Sequence, residues 1–443
     1  MRCFKSFNYN DLKLVSIWRK IAKSDFLTNA RIDDYSLWGT NLQYTKEEVI
    51  DFIESEGVRF IRLAFCDVYG NQKNIAIVPE QLQRAFEEGM PFDGSSICGF
   101  TDECNSDLFL FPIPSTLTIL PWRSTSGKVV RMFCDIKHSD GTPFVKSSRY
   151  ILEKAVAKAK EMGVSVDIGV ECCFYLFQTD EKGLPTQIPF DNAGYLDVAP
   201  ADKGENIRRE ITLTLKKMDI HPKSSHHDQG PGQNGIDFKH STAILAADNT
   251  MNFINVVNAI ASNNGLYADF SPKPLEKQNG NNFHITIAAK QSGNLPCQEY
   301  FMAGVMKHIK EITAFLNPTP ASYQRLKSIY PFFYISWGHE NRSTLIRIPS
   351  ANPSVERFEI RSPDPSTNPY IAFALLIYAG LDGIKNKIKL PESIEINLHK
   401  ASTEITEKLE TLPESLEEAI EIAKQSSFIN EVLPKPWIEL LEN

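Results

Sequence analysis

The sequence predicts an α+β protein with two unlike domains. A β-rich first part gives way near Ser147 to a longer part in which helices and strands alternate. The 443 residues exceed one ordinary domain and leave room for two to three. An apolar fraction of 42% beside 23% charged residues is the balance of a soluble globular chain.

The elements follow in order. Residues 1–44 show no clear period and read as an extension. Thr45 then stands as an N-cap with Glu48 three residues on, ahead of Val49, Ile50, Phe52 and Ile53. That is a capping box opening a helix. VRFIRLAFCDVYGNQKNIAIV holds two β-rich runs split by Tyr-Gly-Asn, a hairpin signal. LPWRSTSGKVVRMFCDIKHSDGTPF predicts a second hairpin-like unit ending near Asp140 and Gly141. The first domain is placed at 45–143 and the second at 144–443. In the second, YILEKAVAKAKEMG is an amphipathic helix stopped by Gly163. SVDIGVECCFYLF reads as a strand; ENIRREITLTLKKM and NTMNFINVVNAIASNNG read as helices. ADFSPKPL and NNFHITIAAK are strand-like. PYIAFALLIYAGLDGIKNKI is a long apolar helix, and SLEEAIEIAKQSSFINEVL a charged amphipathic one. The alternation fits α+β or α/β.

Composition excludes several classes. A net charge of −8 with no strongly basic stretch argues against nucleic-acid and anionic-membrane partners. The first twenty residues lack an uninterrupted apolar core, so no signal peptide is expected. No run of about 18 apolar residues is present to span a bilayer. The eight cysteines are scattered, which predicts reduced thiols in a cytoplasm.

Four constellations carry candidate chemistry. Asp93-Gly94-Ser95-Ser96 is a turn with a carboxylate and two hydroxyls. Ser225-His226-His227-Asp228, ahead of Gly230-Pro231-Gly232, fits either a metal or anion site or a structural turn. Asn279-Gly280-Asn281-Asn282 lets backbone approach a ligand, with His284 on the strand behind it. Arg342, Arg347, Arg357 and Arg361 surround Glu359. Alternation puts Arg357, Glu359 and Arg361 on one strand face, where they need solvent, ion pairs or a charged ligand.

Taken in order, FDGSS, SHHD, PGQ, the KP–NG–H run, NRS, IRIP and RFEIRSPDPSTNPYIAFA resemble the motifs of type I glutamine synthetases, from about Tyr44 to Lys387. The resemblance implies an N-terminal β-grasp domain and a C-terminal catalytic domain with a curved antiparallel sheet. It implies a homo-oligomer of stacked hexameric rings, in which the Asp93 loop completes a neighbour's site. The family reaction joins glutamate to ammonia with ATP through a γ-glutamyl phosphate, using Mg²⁺ or Mn²⁺. Carried over, Glu171, His284 and Glu359 match one metal site, and Asp228 a ligand of the other. Arg342 and Arg357 match nucleotide positions. Tyr195, His226, Asn279, Gly280, Arg325 and Arg347 match substrate positions. Asp93, Arg342 and Arg361 match catalytic ones.

The chain also departs from that pattern. Cys173 and Gly235 stand where the family has glutamates at the second metal, leaving Asp228 as one carboxylate of three. Pro331 follows Tyr330 where the family's flap carries a glutamate. Lys223 replaces a nucleotide-site glutamate, and Thr286 and Ala288 replace a histidine and a serine. Three readings stay open: a glutamine-forming ligase, a ligase for another amine or acid, and a non-catalytic ring that binds a small anion, nucleotide or partner.

Overall fold

The computed structural model describes residues 44–123, 127–292, 297–328, 333–350 and 357–440. The expected extension, apart from Tyr44, and the Tyr330–Pro331 flap position lie outside the described residues.

The capping box forms as read. Helix α1 (Lys46–Ser55) opens with the Thr45 hydroxyl accepting from Glu48 N, while the Glu48 carboxylate accepts from Thr45 N at 2.8 Å. Strands β1 (Val58–Cys66) and β2 (Gln72–Ile77) make the predicted hairpin, with Gly70 at φ +83° in its turn. Then come α2 (Leu82–Glu87), β3 (Met90–Asp93), β4 (Asp107–Pro112), β5 (Thr118–Ile119) and β6 (Lys128–Lys137). The sheet order is β2-β1-β6-β4-β3, with β5 also on β6. Local patterning did not announce that β6 runs parallel to β1. Parallel neighbours need a long crossover, and the segment carrying α2 to β5 supplies it.

The second unit opens with α3 (Ser148–Glu161), which stops at Gly163 (φ +69°) as predicted. Its sheet is organised by the 16-residue strand β7 (Val164–Thr179). Around it stand β8 (Pro185–Pro189), β9 (Pro222–His227), β10 (Gln233–Phe238), β11 (Ser241–Thr242), β12 (Leu266–Asp269), β13 (Phe283–Gln291), β14 (Trp337–His339), β15 (Ile346–Ile348) and β16 (Phe358–Ile360). The main path is β14-β15-β16-β13-β7-β10-β9, and β8, β11 and β12 also pair with β7. All pairs but β14–β15 are antiparallel.

Period-two alternation decides what this sheet does. On β7, Val164, Val166, Ile168, Val170, Cys172, Phe174 and Leu176 all enter the core. Phe283, Ile285 and Ile287 of β13, Ile236 of β10, and Phe358 and Ile360 of β16 join them. The intervening residues face the other way: Gly169, Glu171 and Cys173 on β7, His284 and Thr286 on β13, Gly235 and Asp237 on β10, Glu359 on β16. One sheet face therefore builds the core and the other a polar cleft.

Helices α4 (Glu205–Lys217), α5 (Ala243–Asn263), α6 (Gln298–Leu316), α7 (Pro320–Ser328) and α8 (Pro369–Asn386) complete the unit. Helices α6 and α8 cross with their backbones nearly touching. A Cβ on Gly383 would lie 2.0 Å from the Tyr300 carbonyl oxygen, so only glycine fits there.

Two local expectations change. ADFSPKPL is strand only to Asp269, because Pro272 and Pro274 cannot donate to a ladder. The tail forms two helices, α9 (Leu416–Gln425) and α10 (Ser427–Val432). The Ser426 hydroxyl accepts from Ile429 N at 3.0 Å and starts a new helix.

A buried ionic node ties the two sheets together. Asp248 on α5 accepts two hydrogen bonds from Arg149 on α3, at 3.2 and 3.3 Å, and one from the Tyr370 hydroxyl on α8 at 2.7 Å. Arg131 on β6 reaches the same helix through Asn252 at 2.5 Å. Burial lowers Arg131 to about 10, while Asp248 holds it charged.

Candidate functional site

Register places the metal candidates. Glu171 lies directly opposite His284 on the β7–β13 pair, and Glu359 lies opposite Thr286 on the next pair. His284 Nδ1 is 3.5 Å from Glu171 Oε2. His284 is 7% exposed, yet neither of its ring nitrogens makes a hydrogen bond among the described residues. Buried polar atoms left this way are rare and point to a missing partner. A divalent cation accepted by neutral imidazole and flanking carboxylate suits them. Burial pushes the Glu171 carboxyl up. The contact with His284, with further attraction from His226 and Arg361, more than offsets this and holds the carboxyl at about 2.

Glu359 is tied to the arginines. Its Oε2 accepts from Arg347 Nη1 at 3.2 Å, and its Oε1 accepts from Arg361 Nη1. Arg342 is exposed near Arg361 and lowers its proton affinity by like-charge repulsion, an effect smaller than that of burial. Glu171, His284, Glu359, Arg347, Arg361 and Arg342 thus form one constellation of carboxylates, imidazole and guanidinium groups. Fork-shaped guanidiniums suit phosphate and carboxylate oxygens.

The adjacent positions are built differently. Cys173 lies opposite Gly235 on β10, and Gly235 opposite His226 on β9. The Cys173 thiol donates to Asp228 Oδ2 at 3.2 Å, and burial pushes that thiol well up. His226 sits 4.0 Å from Glu171 Oε1 and meets the exposed Tyr195 ring edge-on at 5.8 Å. The next residue, His227, points the other way and is buried, with Nε2 2.9 Å from Asp191 Oδ1. Asp191, Asp202 and His227 lie close enough to share an ion. Their atoms are already engaged: Asp191 accepts from Gly232 N and Lys203 N, and Asp202 from Arg208 twice. This is a structural network, and of the histidine pair only His226 reaches the cleft.

Asn279 is exposed and donates through Nδ2 to Gln229, while its carbonyl accepts from the Tyr175 hydroxyl at 2.6 Å. The Gly280 carbonyl accepts from Gln233 at 3.0 Å. Arg325, which the resemblance implies is a substrate contact, is fully buried. Its guanidinium donates to Asn282 at 2.8 Å, to Asn317 at 3.1 Å and to the Ser362 carbonyl, with Asp364 at 3.9 Å. A Cβ on Gly280 would meet Arg325 Cγ at 2.4 Å, so the glycine lets the arginine lie beneath the loop. Asp93 belongs to the first sheet, where its carboxylate accepts from Ser95 and Ser96 at 2.6 Å each. Those hydroxyl contacts lower its proton affinity.

Sequence reading missed His240, just past β10. Its ring lies over Gly169, where a Cβ would be 2.7 Å from Nε2. Nearby, Lys223 donates to Asp237 at 3.1 Å. Burial, then Arg357, then Lys223 push His240 down to about 4. No local motif signals this, because the three residues meet only through strand pairing.

The sign of the pH effect follows. Above the unfolded-state value near 6.5, His240 is neutral in both states and contributes nothing. As pH falls toward 4, the unfolded chain gains a proton that the folded chain refuses. Stability therefore drops by up to about 3 kcal/mol, complete below pH 4. His240→Phe is expected to remove that part of the slope. Urea unfolding of both proteins at about pH 7 and about pH 4.5 checks it.

With this geometry in hand, the comparisons with known proteins are direct. Residues 145–441 match the glutamine synthetase catalytic domain, and residues 57–139 the glutamine synthetase β-grasp domain. A glutamine synthetase of Clostridium saccharobutylicum is 43% identical over 407 residues, covering 88% of this chain and 92% of that protein. One of Methanosarcina mazei is 42% identical over 404 residues, covering 88% and 90%. A solved structure of GmaS without ligand matches with a TM-score of 0.80 at 25% identity, over 89% of this chain and 94% of that one. Plasmodium falciparum glutamine synthetase, at 24% identity and a TM-score of 0.78 over 90% and 94%, shares the fold. Domain models that together span most of the chain, and relatives at 42–43% identity, place one conclusion beyond the motifs: this chain belongs to the glutamine synthetase family.

Proposed function

We propose that this chain is an ATP-dependent carboxylate–amine ligase that joins glutamate to ammonia or another amine through a γ-glutamyl phosphate. The observation that carries the reading is His284. Its Nδ1 stands 3.5 Å from the Glu171 carboxylate and its buried Nε2 makes no hydrogen bond among the described residues, beside a Glu359 bridged by two arginines. Glu171, His284 and Glu359 would hold a Mg²⁺ or Mn²⁺ ion, which neutralises phosphate charge when bound.

The chain's own groups supply the rest. Arg342, Arg347 and Arg361 place positive charge where a phosphoryl group and a substrate carboxylate meet. Arg357, with its Nε buried and unpartnered among the described residues, is assigned to the nucleotide phosphates. Asn279 and Gly280 line the glutamate position. His226 and Tyr195 border the amine side. Arg325 acts as a positioning residue beneath the Asn279–Asn282 loop. Asp93 is assigned to the amine site of a neighbouring subunit in a cytoplasmic homo-oligomer of stacked hexameric rings. The GmaS structure solved with ADP, at 25% identity and a TM-score of 0.81, is a nucleotide-bound relative of the same fold.

A second reading, a ring that binds nucleotide or a small anion without turnover, is favoured by one observation. The Cys173 thiol donates to Asp228, the one carboxylate left at the family's second metal position. Phosphate release from ATP with glutamate and a panel of amines, ammonia included, discriminates the two. Mg²⁺-dependent turnover that requires both glutamate and an amine is the expected result. No turnover with any amine, from intact oligomers, would sink the ligase reading.

A further inference from the structure

The cleft face of β7 carries two contrasting halves. On one side His284 Nδ1 stands 3.5 Å from the Glu171 carboxylate, and its buried Nε2 has no hydrogen-bond partner among the described residues. That half is short of a ligand. On the other side the Cys173 thiol is paired with the one carboxylate present. Asp228 Oδ2 accepts from the Cys173 thiol at 3.2 Å, and Asp228 Oδ1 accepts from Gln229 N at 2.8 Å. Cys173 is 1% exposed, while its partner Asp228 is half-buried. Gly235, directly across from Cys173, offers no side chain, and the space beside its Cα is filled. A Cβ there would lie 2.9 Å from His226 Cε1 and 3.0 Å from Nε2.

A hard cation such as Mg²⁺ needs a near-octahedral shell of oxygens. One carboxylate, a thiol and a glycine do not provide it.

We infer that each active site takes a single divalent cation, at Glu171, His284 and Glu359, and that the Cys173–Asp228 hydrogen bond closes the position where the family's motifs call for a second. The site is then asymmetric. Charge on the phosphate side is balanced by one ion and the arginines. The amine side is a metal-free pocket bordered by His226, Tyr195 and the Cys173–Asp228 pair. This deepens the ligase reading and rests on its metal position.

The test counts ions and needs no turnover. Metal-free full-length protein is titrated with Mn²⁺, and free Mn²⁺ is followed by electron paramagnetic resonance. One equivalent per chain is expected. His284→Ala should weaken that equivalent by more than the roughly 10–100-fold typical of outer-shell partners. Cys173→Ser should leave the count at one. The double variant Cys173→Glu with Gly235→Glu should raise it to two, provided it stays folded by circular dichroism; the wild-type count decides the matter if it does not. Two equivalents in the wild type overturn the inference and leave the ligase reading standing. Loss of the ion in Cys173→Ser, with His284→Ala unaffected, also overturns it. No Mn²⁺ bound by folded protein removes the metal position itself, and the ligase reading falls with it.

Discussion

His284→Ala is expected to cut ligase turnover by about 10²–10³-fold while leaving the fold intact. The imidazole is buried, with Nδ1 3.5 Å from Glu171 and no hydrogen bond to Nε2 among the described residues. A buried Nε2 without a hydrogen bond is a burden on the folded chain. Removing the ring opens a cavity but also removes that burden, so the two effects on stability oppose each other. On catalysis they do not. Without the imidazole, Glu171 loses its neighbour at 3.5 Å and the ion loses a ligand. Loss of one such electrostatic element reduces turnover by about 10²–10³-fold, or ~3–4 kcal/mol. Phosphate release under saturating ATP and glutamate checks the first part, and urea unfolding the second. A variant with near-normal turnover would contradict the assignment of the cation to this histidine.

Arg325→Met should do the opposite, acting on stability first. The guanidinium is fully buried and makes hydrogen bonds to Asn282, Asn317 and Ser362. It also stands 3.9 Å from Asp364, which is itself fully buried. Burial raises the Asp364 carboxyl, and Arg325 is the main group that opposes this. Methionine matches much of the arginine's length but leaves Asp364 without its cation. Breaking one partner of a buried pair costs about 3–5 kcal/mol. A lower urea midpoint measures the loss. A residue that only touched substrate would raise KM and leave the unfolding midpoint alone. That outcome would restore Arg325 to the substrate contacts implied by the resemblance.

The contrast between these two residues explains how far the sequence could be read. His284 lies in the KP–NG–H run that resembles the family's, and Arg325 was matched to a family position outside those motifs. Period-two alternation was visible along SVDIGVECCFYLF, so Glu171 and Cys173 could be put on one face and Cys172 on the other. The capping box at Thr45 and the glycine stop at Gly163 were equally legible, because each depends only on neighbours in the chain. Arg325 was not legible. Whether an arginine points into a cleft or beneath a loop depends on what lies under it, here Gly280, Asn282 and Asp364. His240 failed for the same reason, since its neighbours Gly169, Lys223 and Arg357 come from separate strands. The parallel β1–β6 pair and the break at Ser426 were also tertiary or capping effects with no periodic signature.

Strand β7 has a further consequence, for the order in which the molecule assembles. It pairs with β8, β10, β11, β12 and β13, and few of these neighbours are close in sequence. The partners of Glu171 are Asp237 and His284, each brought from far down the chain. Loop-closure entropy must be overcome before such pairs form, so folding of this unit is expected to be slow. A register slip of one residue would turn Cys172 toward the cleft and bury Glu171 in the core, so misregistered chains are strongly selected against. The proposed cation site therefore does not pre-exist in any local fragment. It comes into being with the last long-range strand pairings, and an incompletely folded subunit carries the motifs without the site.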